Sequence, residues 1–123
     1  MQNKMEILIK EISKMKCVSA IFLFGSRARE KERKDSDVDI AVLTKNASYD
    51  KEMKIIGYGD EIFDVHVFSR LPLIIQFRIL KEGKVIFCRN KKDIYDIKSR
   101  VFKSYWDFSV FINRFYWRVL RNA

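Results

Sequence analysis

The sequence predicts an α+β (α/β) domain in which helices flank a small mixed sheet of about four strands. Three observations support this prediction. Compact apolar runs alternate with segments of helical periodicity, and turn residues separate the two kinds of segment. A chain of 123 residues, 48% apolar and 33% charged, has the size and composition of one globular domain rather than of a disordered or fibrous protein. We therefore expect residues 1–123 to form a single domain.

The first half of the chain supplies one helix and two strands. Apolar residues recur at steps of three and four over residues 2–16, which is the period of an amphipathic helix. Val18–Phe24 is a compact apolar run that ends at Gly25 and Ser26, and this predicts a buried strand followed by a tight turn. Residues 37–44 are acidic at the start and then almost wholly apolar, which predicts a second strand covered on both faces.

The middle of the chain predicts a short helix and a third strand. Residues 50–58 are compatible with a helix, although Gly57 and Gly59 weaken it. Residues 61–69, with the sequence EIFDVHVFS, alternate in the manner of a strand whose two faces differ. The third strand is therefore expected to carry polar side chains on one of its faces.

The last third of the chain predicts two helices around a short strand. Pro72 fits the first position of a helix, and Gly83 is expected to close that helix in a left-handed conformation. Residues 84–88 predict the fourth strand. Asn90 is expected to cap a long final helix over residues 91–121.

The final helix carries more apolar surface than one packing face requires. One stripe at helical spacing is expected to face the core: Ile94, Ile97, Val101, Tyr105, Phe108, Ile112, Phe115 and Val119. A second stripe lies beside it: Tyr95, Phe102, Trp106, Trp117 and Leu120. The surplus predicts a protein interface, either with a heterologous partner or with a second copy of the chain. Additional core packing and the stacking of single-stranded RNA are the alternatives.

The chain is basic, with a formal net charge of +9 and a sequence pI near 9.7. This charge favours polyanionic ligands such as a nucleoside triphosphate, a nucleic acid or an acidic protein, and solubility alone also accounts for it. The N-terminal residues lack the apolar core of a signal peptide, and no apolar run approaches membrane-spanning length. We therefore expect a cytoplasmic protein. The two cysteines form no CxxC or Cys/His pattern, which argues against a structural zinc site.

The densest chemical signal is the segment FLFGSRAREKERKDSDVDIAVL. Ten residues separate Ser26 from Asp37, and Asp39 follows at the start of the second strand. Side chains alternate along a strand, so both carboxylates are expected on the same face. Two carboxylates so close repel each other unless a cation lies between them, and such hard oxygen ligands suit Mg²⁺.

The glycine and serine before these acids supply groups that can hold phosphate. Gly25 allows the backbone to approach a phosphate closely, and the Ser26 hydroxyl and the following amides can donate hydrogen bonds to it. Arg27 and Arg29 follow at once in the chain. Each feature alone is more often a structural turn, but the ordered combination favours a functional site.

A third carboxylate is expected from the third strand. Asp64 interrupts an otherwise apolar run, and a third carboxylate would allow two metal ions to be bridged. His66 should share the face of Asp64, where it contacts substrate, acts as a base or serves as a structural histidine.

The segments GSRAR and SDVDI resemble the signature of the minimal nucleotidyltransferases (MNT) of the DNA polymerase β superfamily. FDVHVF and LPLIIQFRILKEGKVIFCRN are similar to the later strand, helix and strand of that family, whereas Glu30 stands where many members have glycine. The resemblance implies a polymerase-β-type nucleotidyltransferase fold and a role like that of the MntA-like antitoxins of HEPN/MNT pairs.

The resemblance also implies roles for individual residues. Gly25 and Ser26 would hold the β- and γ-phosphates of ATP or another nucleoside triphosphate, and Arg29, with Arg27 nearby, would steady the triphosphate. In the same way two Mg²⁺ ions would be held by Asp37 and Asp39, with Asp64 completing the second metal site.

Three functional hypotheses follow. In the first, the chain moves AMP from ATP to a hydroxyl acceptor, which the resemblance suggests is a tyrosine of a HEPN-type RNase toxin that is thereby silenced. In the second, the chain is a catalytically silent antitoxin that neutralises its partner by contact. The third, a basic nucleic-acid-binding protein, explains the charge but not the acids within apolar strands.

Overall fold

The computed structural model of the protein describes residues 2–25 and 38–122. The helices are α1 Gln2–Ser13, α2 Tyr49–Ile56, α3 Leu73–Glu82 and α4 Lys91–Arg121. The strands are β1 Val18–Phe24, β2 Val38–Thr44, β3 Phe63–Val67 and β4 Lys84–Cys88, and a single 3₁₀ turn spans Phe68–Arg70. Each predicted helix and strand lies within a few residues of its expected bounds.

The four strands form one mixed sheet in the order β3-β2-β1-β4. Strand β1 is antiparallel to both β2 and β4, whereas β2 and β3 are parallel and are joined through the crossover helix α2. The parallel pair brings Val38 opposite Phe63, and the residues after them continue in register. The predicted fold class, a small mixed sheet with flanking helices and a long C-terminal helix, is confirmed.

Both faces of the sheet are covered by apolar side chains. The face packed by α1 and α2 buries ten residues: Ile12, Val18, Ile21, Val38, Ile40, Val42, Ile55, Phe63, Val65 and Val67. The opposite face, packed by α3 and α4, buries nine: Ala20, Phe22, Ala41, Leu43, Phe68, Ile79, Leu80, Ile94 and Val101. This arrangement explains why β1 and β2 are almost continuously apolar in sequence.

The predicted cap at the start of α4 is confirmed, whereas the predicted cap at the end of α3 is wrong. Asn90 caps α4 by accepting a hydrogen bond from the backbone N–H of Lys92 at 3.0 Å, as expected. Gly83 ends α3 in an extended conformation, with φ −71° and ψ 161°, so the predicted left-handed cap is wrong. A Cβ at this position would lie 2.5 Å from the carbonyl oxygen of Ile79 and 3.2 Å from that of Leu23. Gly83 is therefore explained by these nearby carbonyl oxygens, which leave no room for a side chain, and not by a left-handed backbone conformation.

Helix α4 packs on the domain only over its first half. Val101 is its last buried residue, and the rings of Phe102 and Tyr105 pack on Phe77 of α3, with ring centroids 5.2 and 4.0 Å apart, respectively. Residues 102–121 extend the helix by about 30 Å. The predicted core stripe is therefore wrong beyond Tyr105, because Phe108, Phe115 and Val119 are exposed.

None of the helices in the described part of the chain is long and apolar enough to cross a membrane.

Candidate active site

Two carboxylates lie opposite each other on the parallel strands. Asp39, the second residue of β2, is in register with Asp64, the second residue of β3. Adjacent strands lie about 4.8 Å apart, so two in-register side chains share one patch of the sheet. The sequence-based expectation that the strand of Asp64 neighbours that of Asp39 is confirmed.

The bend after β1 lies directly beside one of these carboxylates. Phe24 pairs with Asp39, and Gly25 follows with a positive φ of +82°, a conformation that favours glycine. A Cβ on Gly25 would lie 2.5 Å from Asp39 Oδ2, so a larger residue would collide with the carboxylate. The glycine therefore meets two requirements at once, a left-handed backbone and space for an acid.

His66 completes the cluster. Its Nε2 atom lies 3.0 Å from Asp64 Oδ2 and 3.7 Å from Asp39 Oδ1. The imidazole ring also packs against Phe24, with ring centroids 5.7 Å apart and planes tilted by 58°. Strand alternation correctly placed His66 on the face of Asp64, but its contact with Asp39 depends on strand register, which the sequence does not state.

The cluster is open to solvent on one side. The side chains of Asp39, Asp64 and His66 are 29%, 54% and 31% exposed, respectively. One potential ligand atom from each residue lies within 4.8 Å of the other two. Two carboxylates and a nitrogen at this spacing are a suitable donor set for a divalent cation, and their exposed side leaves room for water and substrate oxygens.

A cavity of about 160 Å³ adjoins the bend on the α3 side. Phe24, Gly25, Ile75 and Ile79 line its apolar part, and Arg78 contributes a cation. A larger cavity of about 400 Å³ lies at the other end of β2, where Thr44 and Asp93 line it. The larger cavity is thus remote from the acids, whereas the smaller one is lined by Phe24 and Gly25, which contact His66 and approach Asp39, respectively.

The described residues contain three of the seven site residues predicted from sequence. Gly25, Asp39 and Asp64 are brought together at one end of strands β1, β2 and β3. The other four, Ser26, Arg27, Arg29 and Asp37, lie outside the described residues.

One titratable group in the loop before β3 has a perturbed pKa. The Asp60 carboxylate accepts hydrogen bonds from the backbone N–H groups of Phe63 and Ile62, both at 2.8 Å. These bonds lower the pKa of Asp60 below its ordinary value of 3.8, and the bond from Phe63 has the largest effect. Asp60 thereby fixes the loop that leads into β3 and so the start of the strand that carries Asp64.

The chain matches a family model and one curated relative. The family described as Polymerase beta, Nucleotidyltransferase matches residues 6–92, which include all three described site residues. A Methanocaldococcus jannaschii protein named "Putative protein adenylyltransferase MJ1547" is 36% identical over 73 residues. That match covers 59% of this chain and 58% of the relative, so the chain spans little more than half of the relative's length.

Several solved structures share the fold along nearly the whole chain. A crystal structure described as the toxin–antitoxin with AMP-PNP matches with a TM-score of 0.70 and 19% identity, covering 96% of this chain and 97% of that one. A structure of tri-AMPylated Shewanella oneidensis HEPN toxin in complex with MNT antitoxin matches with a TM-score of 0.64 and 18% identity, covering 96% and 94%. At these identities the likeness establishes the fold alone.

Proposed function

Since the chain belongs to the Polymerase beta nucleotidyltransferase family, we propose that it transfers AMP from ATP to a protein hydroxyl. We take the acceptor to be a tyrosine of a HEPN-type RNase, and the modification to silence that RNase, so that the chain acts as an antitoxin. The single observation that carries the proposal is the in-register pair Asp39 and Asp64 beside Gly25.

The described residues supply the positioning that such a transfer needs. Gly25, lacking a side chain, leaves the backbone of the bend accessible to a triphosphate next to Asp39. Asp39 and Asp64, with Asp37, would hold two Mg²⁺ ions, which when bound stabilise charge on the attacking and leaving oxygens. Ser26, Arg27 and Arg29 are proposed to bind the phosphates.

The reaction is an in-line displacement at the α-phosphorus of ATP. The acceptor oxygen forms a bond to this phosphorus while the bond to the oxygen bridging the α- and β-phosphates breaks. Pyrophosphate leaves, and the hydroxyl proton passes to a nearby base. We propose that Asp64, the most exposed of the three clustered side chains, accepts that proton.

The choice of a protein acceptor rests on two kinds of support. The M. jannaschii relative carries the name of a protein adenylyltransferase, and one fold neighbour is an MNT antitoxin bound to an AMPylated HEPN toxin. In this chain, residues 102–121 of α4 expose aromatic side chains that the domain does not cover. We propose that the HEPN-type partner docks on this segment, because aromatic and arginine side chains are enriched in protein interfaces.

The test is to incubate the chain with Mg²⁺, a HEPN-type RNase of the same organism and ATP labelled at either the α- or the γ-phosphorus. We expect the α-label to appear on the RNase and the γ-label to appear only in pyrophosphate. Asp39→Asn should abolish labelling, whereas Glu6→Gln, which removes an exposed negative charge on α1, should leave it unchanged. Transfer of the γ-label, or undiminished labelling by Asp39→Asn, would contradict the proposal.

Neutralisation by contact alone is the second candidate, and the exposed aromatic face of α4 favours it. It predicts that the chain inhibits the RNase without ATP and that Asp39→Asn inhibits as well as the unchanged protein. A nucleic-acid-binding role predicts instead RNA affinity that falls steeply with salt. Inhibition that requires ATP and Asp39 would exclude both alternatives as the main activity.

A further inference from the structure

His66 contacts both acids of the candidate site, although the proposed reaction gives it no role. The Nε2 atom is 3.0 Å from one carboxylate oxygen of Asp64 and 3.7 Å from one of Asp39. In the β2–β3 register the residue opposite His66 is Ala41, whose methyl group leaves space above the sheet for the imidazole ring. The ring of Phe24 packs against the imidazole, with ring centroids 5.7 Å apart. The nitrogen is therefore held on the same side of the sheet as the carboxylates.

The two separations measured from Nε2 suit a common metal ion. Octahedral ions with bonds of about 2.1 Å hold neighbouring ligands about 3.0 Å apart. The Nε2 to Asp64 Oδ2 distance has this value, and the distance to Asp39 exceeds it by a margin that a small side-chain rotation removes. All three side chains are partly exposed, so water and phosphate oxygens can reach them.

We propose that His66 is a nitrogen ligand of this site and that it gives the site a preference for first-row transition ions, with Mn²⁺ as the probe, over Mg²⁺. The inference rests on the proposed function, because it concerns the same metal site. Imidazole nitrogen binds transition ions better than it binds Mg²⁺, which prefers oxygen ligands throughout. A site of two carboxylates and one histidine therefore differs in metal preference from a site of carboxylates alone.

A positioning role is the competing interpretation. In that case Nε2 donates a hydrogen bond to Asp64 and orients it, and the metal meets only oxygen. Activity measurements do not separate the two roles, since loss of either would slow the reaction. Direct detection of nitrogen in the coordination shell does separate them.

The experiment titrates the metal-free full chain with Mn²⁺ in the absence of nucleotide and records pulsed electron paramagnetic resonance spectra. We expect nitrogen hyperfine coupling in the unchanged protein and none in His66→Asn. Calorimetric titration should show the Mn²⁺ affinity of His66→Asn reduced by about tenfold or more, and the Mg²⁺ affinity reduced less. Circular dichroism checks that each variant folds, and His66→Gln serves as a second variant.

The outcomes distinguish failure of this inference from failure of the proposed function. If Mn²⁺ binds to the unchanged protein without nitrogen coupling, and Asp39→Asn abolishes that binding, His66 is not a metal ligand. The nucleotidyltransferase site itself would be unaffected by this result. Equal loss of Mn²⁺ and Mg²⁺ affinity in His66→Asn would also overturn the role of His66 as a ligand, in favour of positioning. Absence of Mn²⁺ binding in the unchanged protein overturns the metal preference, and AMP transfer then tests the function separately.

Discussion

The Asp39 carboxylate occupies the space that a side chain at Gly25 would need, because a Cβ on the glycine would lie 2.5 Å from Asp39 Oδ2. The bend that would hold phosphate and the acid that would hold metal are thus fitted to each other across the β1–β2 pair. This relationship makes the glycine a test of the site as well as of the fold.

Gly25→Ala should therefore damage both stability and transfer. The positive φ and the collision with Asp39 together should cost about 1–3 kcal/mol of unfolding free energy. Gly57→Ala is the matched control, because position 57 has a helical backbone and the nearest atoms to its Cβ lie at 3.4 Å. We expect that control to gain about 0.4–1 kcal/mol. Urea unfolding measures both variants, and equal stability of the two would contradict the geometry.

Mg²⁺ with AMP-PNP should stabilise the protein through the two acids. A ligand present at one hundred times its dissociation constant adds about 2.7 kcal/mol to the unfolding free energy. Thermal unfolding should therefore shift upward in the unchanged protein, and the shift should disappear in Asp39→Asn, in Asp64→Asn and on addition of a chelator. Glu6→Gln should keep the full shift. A shift that survives both aspartate substitutions would place the nucleotide elsewhere.

Trp106 and Trp117 should contribute to partner binding and little to folding. They are 69% and 63% exposed on α4, so replacing both by serine should change the unfolding free energy by about 0.5 kcal/mol or less per site. Affinity for the HEPN-type RNase, measured by calorimetry, should fall by about 2 kcal/mol or more.

Ile7→Ser provides the control for the tryptophan pair, since Ile7 is 63% exposed on α1, away from α4. This variant should bind the RNase normally. If instead the tryptophan variant converts a dimer of the free chain to a monomer without loss of RNase affinity, the segment 102–121 is a self-association surface.

Asp60 should make stability depend on pH below about 4. Hydrogen bonds from the Phe63 and Ile62 N–H groups lower the pKa of Asp60 in the folded state relative to the unfolded state. The stabilisation is therefore present above the unfolded-state pKa and is lost as pH falls through the folded-state pKa. Urea unfolding of the unchanged protein and of Asp60→Ala should differ at neutral pH and converge toward acidic pH. A difference that is constant with pH would contradict this origin.

The sequence predicted best those features that local chemistry determines. The bounds of β1 were correct because an apolar run ends sharply at Gly25, and Asn90 was correctly identified as a cap because its side chain bonds a nearby amide. The prediction for Gly83 was wrong because the glycine is required by the nearby carbonyl oxygens of Ile79 in the helix and Leu23 in the sheet, and the sequence pattern shows neither contact. The stripe of α4 was extended too far, since periodicity does not report how far the sheet beneath a helix continues.

The candidate site also combines features that local sequence predicts with features that depend on long-range packing. Alternation along β3 was enough to put Asp64 and His66 on one face. The in-register placement of Asp39 against Asp64, and with it the contact between His66 and both acids, depended on which strands pair and in which direction. That information arises from long-range packing, which a single sequence does not contain.

The crossover between β2 and β3 has a consequence for how this protein matures. Asp39 and Asp64 acquire their relationship only when the intervening helix has packed and the parallel pair has closed. A growing polypeptide that has emerged only as far as β2 carries Asp39 but not Asp64. A protease cut within the crossover would therefore separate the two acids onto different fragments.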